Sequence, residues 1–99
     1  MARFDVFRGG DGDVLFLDAQ ADILSDLRSR VVIPLLPSRR VTKPMARLNP
    51  VFLIEEERMV LMPQLMAAIP ASELREFVAS LTGSHDEIVN AIDMLFQGF

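Results

Sequence analysis

The chain has 99 residues, a formal net charge of −4 and no cysteine, which fits one domain spanning residues 1–99 and excludes disulfides, zinc–thiolate sites and thiol catalysis. Hydrophobic residues make up 51% of it, high for a domain that buries roughly two thirds of its unfolded surface, so a homodimer that covers the surplus is expected. No apolar run approaches the roughly 18 residues that span a bilayer, and Met1–Asp5 lacks the apolar core of a signal peptide; the expectation is a cytoplasmic protein with no membrane partner.

Arg3–Arg8 reads as a strand with Phe4 and Val6 on one side. Gly9, Gly10, Asp11, Gly12 and Asp13 are turn chemistry, and Val14–Leu17 is a short apolar run suited to a strand buried on both faces; the pair predicts a hairpin. Asp18 to Leu24 leads out, with Asp18 and Gln20 placed to turn the chain and satisfy backbone groups. Arg30–Pro37 is β-branched and then interrupted by Pro34, which lacks a ladder donor and so places this strand at an edge or at a bulge. Ser38 to Asn49 is basic and irregular, interrupted by Pro44, and reads as loop.

Pro50–Ile54 and Arg58–Met62 predict a second hairpin, turned by Glu55, Glu56 and Glu57. A short extended piece follows near Ala67–Ile69 and ends at Pro70. Ser72–Leu81 carries Leu74, Phe77, Val78 and Leu81 at helical spacing and predicts a short helix. Gly83 separates it from a final helix, in which Ser84 and Glu87 have the spacing of a capping box. Ile88, Ala91, Ile92, Leu95 and Phe99 form its apolar stripe, widened by Val89 and Phe96. Gly98 releases the helix. On physics alone Phe99 is expected to fold back onto its own core; the alternative is a docking anchor for a partner. Short strands followed by helix predict an α+β, mainly β fold: a small, partly open antiparallel barrel with a terminal helix packed on it.

No catalytic or metal-binding constellation emerges. The one histidine, His85, lies between Ser84 and Asp86, and neighbours in a helix point different ways, so these three cannot form a triad. Glu55–Glu57 lacks the ligand spacing of a calcium loop, and Gly9–Gly12 has no Lys-Ser/Thr behind it and opens no helix, so it is no phosphate loop. No cofactor is expected. Met59, Met62, Met66 and Met94 read as adaptable core filler. Arg28, Arg30, Arg39, Arg40, Lys43 and Arg47 crowd the middle of the chain: either a solvated face or a surface for an acidic partner. The net negative charge argues against nucleic-acid binding by this chain alone.

Four stretches carry a resemblance. They are Phe16-Leu-Asp-Ala-Gln-Ala-Asp-Ile-Leu24, Arg30-Val-Val-Ile-Pro-Leu35, Pro50-Val51 with Pro70 twenty residues on, and Asn90-Ala-Ile-Asp-Met-Leu-Phe-Gln-Gly-Phe99. In order, spacing and total length the chain resembles the CcdB family, toxins of a bacterial toxin–antitoxin module. The resemblance implies a homodimer of SH3-like barrels, each extended by a small extra sheet and closed by a C-terminal helix. It implies a non-enzymatic poison that binds the A subunit of DNA gyrase and holds the enzyme on cleaved DNA. Family members use the last three residues of the helix, here Gln97, Gly98 and Phe99; supporting contacts map onto Ile23, Asp93 and Phe96. The best-known members carry Trp at the position of Gln97 and Asn at that of Asp93. The resemblance also implies a partner antitoxin whose disordered tail neutralises the toxin and with which it represses its operon, so that DNA is met only indirectly. In this chain the expected antitoxin surface is Arg8 and Asp11 at the first hairpin with Arg39, Arg40, Lys43 and Arg47. Two rival readings stay open: an interaction module of the same fold without gyrase poisoning, or with another type II topoisomerase as target, and a small RNase, for which no His/Arg/Asp constellation is found.

Overall fold

A computed structural model of the chain describes residues 2–10 and 12–99. Among these residues, seven strands form one antiparallel sheet: β1 (Asp5–Arg8), β2 (Leu15–Asp18), β3 (Ser29–Pro37), β4 (Val51–Ile54), β5 (Glu57–Leu61), β6 (Ala67–Pro70) and β7 (Glu76–Ser80). Their spatial order is β4-β5-β3-β2-β1-β7, with β6 pairing onto β3. The sheet curls into a half-barrel, and one helix, α1 (His85–Gln97), completes a mainly β α+β fold.

Period-two alternation explains how the sheet is buried. Val6, Leu15, Leu17, Ile33 and Leu35 share the inner face with Phe52, Ile54, Met59 and Leu61, and Ile88 and Ala91 of α1 plug the open side. The intervening residues point the other way. Phe7, Val32 and Leu74 form a smaller cluster there with Phe16 and Ile69, and Phe7 meets Phe77 edge-on at 6.0 Å.

β3 is the hub of the sheet. It pairs with β2 along one side, and on the other with β6 through Ser29–Val32 and with β5 through Leu35–Pro37. The strand carrying Pro34 is therefore central, not an edge. The missing donor is tolerated because of where it falls. The Pro34 carbonyl accepts from the Met62 N–H at 2.9 Å, and the nitrogen of a strand residue points to the same side as its carbonyl. That side is the gap where β6 has ended and β5 has not begun, so no ladder bond is lost.

The second hairpin closes at Ile54 and Glu57 through a two-residue turn. Glu55 (φ 51°) and Glu56 (φ 66°) both take the left-handed conformation such turns require. Phe4 also has positive φ, 72°, unusual for a bulky residue. Its backbone is held on both sides, N–H to the Asp18 carbonyl at 2.6 Å and carbonyl from the Leu81 N–H at 2.9 Å. Its ring is buried, edge-on to His85 at 5.4 Å.

Two readings of the C-terminal third need correction. Ser72–Leu81 is not a helix: a 3-10 turn at Ala71–Glu73 leads into β7, which pairs with β1 across a register shift between Val6 and Phe7. Ten residues make a marginal helix in isolation, whereas as a strand this segment satisfies the outer edge of β1 while Val78, Ala79 and Leu81 pack on the inner core. The Ser84–Glu87 capping box is also absent. Ser84 is the N-cap residue but makes no side-chain cap bond, because the 3-10 turn Thr82–Ser84 runs straight into α1 and the Ser84 N–H already donates to the Leu81 carbonyl at 2.9 Å. Ser84→Ala is accordingly expected to change stability by less than about 0.5 kcal/mol, against the ~1 kcal/mol of a working N-cap; thermal unfolding checks this.

Candidate functional site

The helix stripe fades toward its end. Ile88 and Ala91 are buried, Ile92, Asp93, Met94 and Leu95 are half-buried, and residues from Phe96 onward are exposed. The first half of α1 therefore docks into the half-barrel and the last turn projects from it. Phe96 is 69% exposed and Phe99 71%, so the expectation that Phe99 folds back onto its own core is overturned. Gly98 ends the helix at φ 80°, ψ 10°, with its N–H donating to the Met94 carbonyl at 3.0 Å. A side chain there would meet nothing within 4 Å; the glycine is needed for its left-handed backbone, which swings Phe99 away from the helix axis.

Ile23 lies on a separate 3-10 turn, Asp22–Leu24, and is 90% exposed. Asp93, Phe96 and Phe99 lie on or just beyond α1, a different element from the turn that bears Ile23. What positions it is a buried polar network. The Arg30 Nη2 donates to Asp18 Oδ2 at 2.5 Å, with both side chains inaccessible. The Gln20 N–H donates to Asp18 Oδ1 at 3.1 Å, Gln20 Oε1 accepts from the Val31 N–H at 3.0 Å, and Gln20 Nε2 donates to the Leu24 carbonyl at 2.9 Å. Asp22 Oδ1 accepts from the Arg3 N–H at 2.7 Å. Asp18 and Gln20 thus turn the chain and satisfy its backbone, as their residue types imply.

The basic residues are less available than their sequence suggests. Arg8 pairs with Glu55 at 2.6 Å and Glu76 at 3.5 Å, and its guanidinium is held above its ordinary pKa, chiefly by the hydrogen bond to Glu55. Arg39 bridges Asp13, at 2.6 Å, and Glu57; Arg40 reaches the other Asp13 oxygen at 2.7 Å. Lys43 and Arg47 are exposed on the loop that follows and make no ion pair among the described residues. Asp11 lies outside the described residues. In the sequence Asp13, Glu55 and Glu57 read as turn residues; that they face these arginines depends on bringing two hairpin tips and the 38–47 loop together, which no local pattern announces.

His85 is exposed, with Nδ1 3.4 Å from Asp86 Oδ1. A cavity of about 360 Å³ lies between the first hairpin and β6, over Phe16, Ile69 and Glu73. No helix among the described residues is long and apolar enough to cross a membrane.

The architecture is a curled antiparallel sheet from which one helix end and one ion-paired loop surface project. The family model of the CcdB protein matches residues 3–98. The chain belongs to the CcdB family, whose type is the toxin of a toxin–antitoxin module.

Proposed function

We propose that residues 1–99 act as one cytoplasmic, non-enzymatic toxin domain that poisons DNA gyrase. It binds the gyrase A subunit through Gln97, Gly98 and Phe99, with Phe96, Asp93 and Ile23 in support, and holds the enzyme on cleaved DNA. The observation that carries this reading is the exposure of Phe96 and Phe99 beyond the half of α1 that the barrel buries, since large apolar groups held in water at a rigid helix end are suited to a partner's pocket. The working form is a homodimer. Exposed Leu24, Leu27 and Leu65 offer apolar area for a second copy, and a two-fold pair would present two tips to a two-fold target. Poisoning requires tighter binding to the gyrase–cleaved-DNA state than to resting gyrase. The antitoxin's disordered tail is met by Arg8, Arg39, Arg40, Lys43 and Arg47 together with the Asp11 hairpin tip, and the resulting complex represses the operon.

Gln97 and Asp93 favour one second reading: the same fold acting on another type II topoisomerase, or on none. Gln has far less apolar area than the Trp of the best-known family members. Expression in bacteria, scored for gyrase-linked DNA cleavage and for intact RNA, separates these outcomes from an RNase. Gln97→Trp is expected to strengthen gyrase trapping by roughly tenfold or more, the scale of an added aromatic hot spot. A variant that cleaves no more DNA with gyrase than the parent chain would count against gyrase as the target.

A further inference from the structure

The tips of the two hairpins face each other across a cleft of about 230 Å³, with Leu15, Ile54 and Met59 buried beneath it and Asp13, Glu55 and Glu57 along its sides. Arg39 bridges the two tips. One terminal nitrogen meets Asp13 on the first tip and the other meets Glu57 on the second. Asp13 is itself shared, one oxygen to Arg39 at 2.6 Å and the other to Arg40 at 2.7 Å. A single carboxylate thus already sits between two adjacent guanidiniums, accepting one charge-assisted hydrogen bond from each.

We infer that Asp13 and Glu57 are built-in competitors that occupy Arg39 and Arg40 in the free protein and are displaced when an acidic peptide segment docks there. The inference rests on the reading above, in which this surface meets the antitoxin, and it gives that segment's chemistry: a carboxylate side chain that takes the place of Asp13 between the two arginines. The exchange is feasible because the clasp is weak. Its four side chains are each 36% to 61% exposed, and exposed pairs of this kind shift an equilibrium by no more than about fivefold each. An incoming chain with several carboxylates outcompetes them by number, whereas one isolated acid does not. Gly12, beside Asp13, has φ 68°, and a side chain built there would meet no atom within 4 Å, so nothing packs against the tip at that point.

The test is fluorescence anisotropy of labelled hexaglutamate with the full-length protein at low ionic strength. Asp13→Asn is expected to bind up to about fivefold more tightly than the parent, Glu57→Gln to shift the same way by less, and Arg39→Gln/Arg40→Gln to bind weakest. Glu87→Gln removes the same charge from α1, outside both hairpins, and is expected to change little. Should Asp13→Asn and Glu57→Gln bind no tighter while the arginine double variant loses binding, the competitor inference falls and the docking surface stands. An equal gain from Glu87→Gln reduces the effect to net charge and overturns the inference as well. If the arginine double variant binds like the parent, or no form binds hexaglutamate, the docking surface falls with it.

Discussion

Removal of Gln97–Phe99 is expected to abolish growth arrest in bacteria while leaving the subunit folded. The two halves of this expectation come from different parts of α1. Its anchoring residues, Ile88 and Ala91, are inaccessible and lie in the first two turns, whereas Gln97, Gly98 and Phe99 are exposed. Their loss removes two backbone bonds at the helix end, from the Gly98 N–H to the Met94 carbonyl and the helical bond of the Gln97 N–H, and is expected to cost no more than about 2 kcal/mol of stability. Binding is another matter. Truncating a central aromatic anchor commonly costs about 2–4 kcal/mol, a factor of roughly 30 to 1,000 in affinity. Matched thermal unfolding and growth curves check both halves. A truncated chain that unfolds at the parental temperature and still arrests growth would remove the helix end from the mechanism; one that no longer folds would show that the last turn stabilises the barrel, contrary to its exposure.

The parts of the fold that were legible in the sequence are those in which a local pattern and its tertiary use agree. Gly9–Asp13 between two apolar runs, and Glu55–Glu57 between Pro50–Ile54 and Arg58–Met62, announce hairpins because turn and pairing are neighbours in the chain. The register follows from alternation. Elsewhere local and distant demands conflict. Leu74, Phe77, Val78 and Leu81 have helical spacing, but the open edge of β1 lies seventy residues upstream, and satisfying that edge outweighs propensity. Pro34 signals an edge only if each strand has one partner per side; β3 changes partner at that residue, which spacing within the strand does not reveal. Phe99 marks the limit of area reasoning. A large apolar residue normally gains by folding back, yet Phe99, beyond the left-handed Gly98 that ends the helix, is 71% exposed. The ion pairs of Arg39 and Arg40 join segments up to 27 residues apart and were invisible in a count of basic residues.

Asp18→Asn is expected to cause the largest loss of stability of any single change considered. Among the described residues Asp18 is the sole ionic partner of Arg30, their side chains are 0% and 2% exposed, and the Arg30 Nε lacks a hydrogen-bond partner. Neutralising Asp18 leaves a guanidinium charge in the interior with nothing to balance it. Breaking a buried pair from one side costs about 3–5 kcal/mol, out of a total stability of roughly 5–15 kcal/mol for a domain of this kind. With each kcal/mol worth about 4–8 °C at this size, melting should fall by at least roughly 12 °C. The charge, not the packing, is the cause, so Asp18→Leu with Arg30→Met should recover most of the loss, short of about 1 kcal/mol because the Gln20 N–H loses its acceptor on Asp18. That residual deficit has a functional side. Gln20 ties the Asp22–Leu24 turn to β3 through Leu24 and Val31, and a loosened Gln20 lets Ile23 wander. On the proposed function, the double variant is therefore expected to melt near the parent yet bind gyrase less tightly, whereas Asp18→Asn loses both together. A double variant as unstable as Asp18→Asn would mean that the hydrogen bonds, rather than the uncompensated charge, dominate the network.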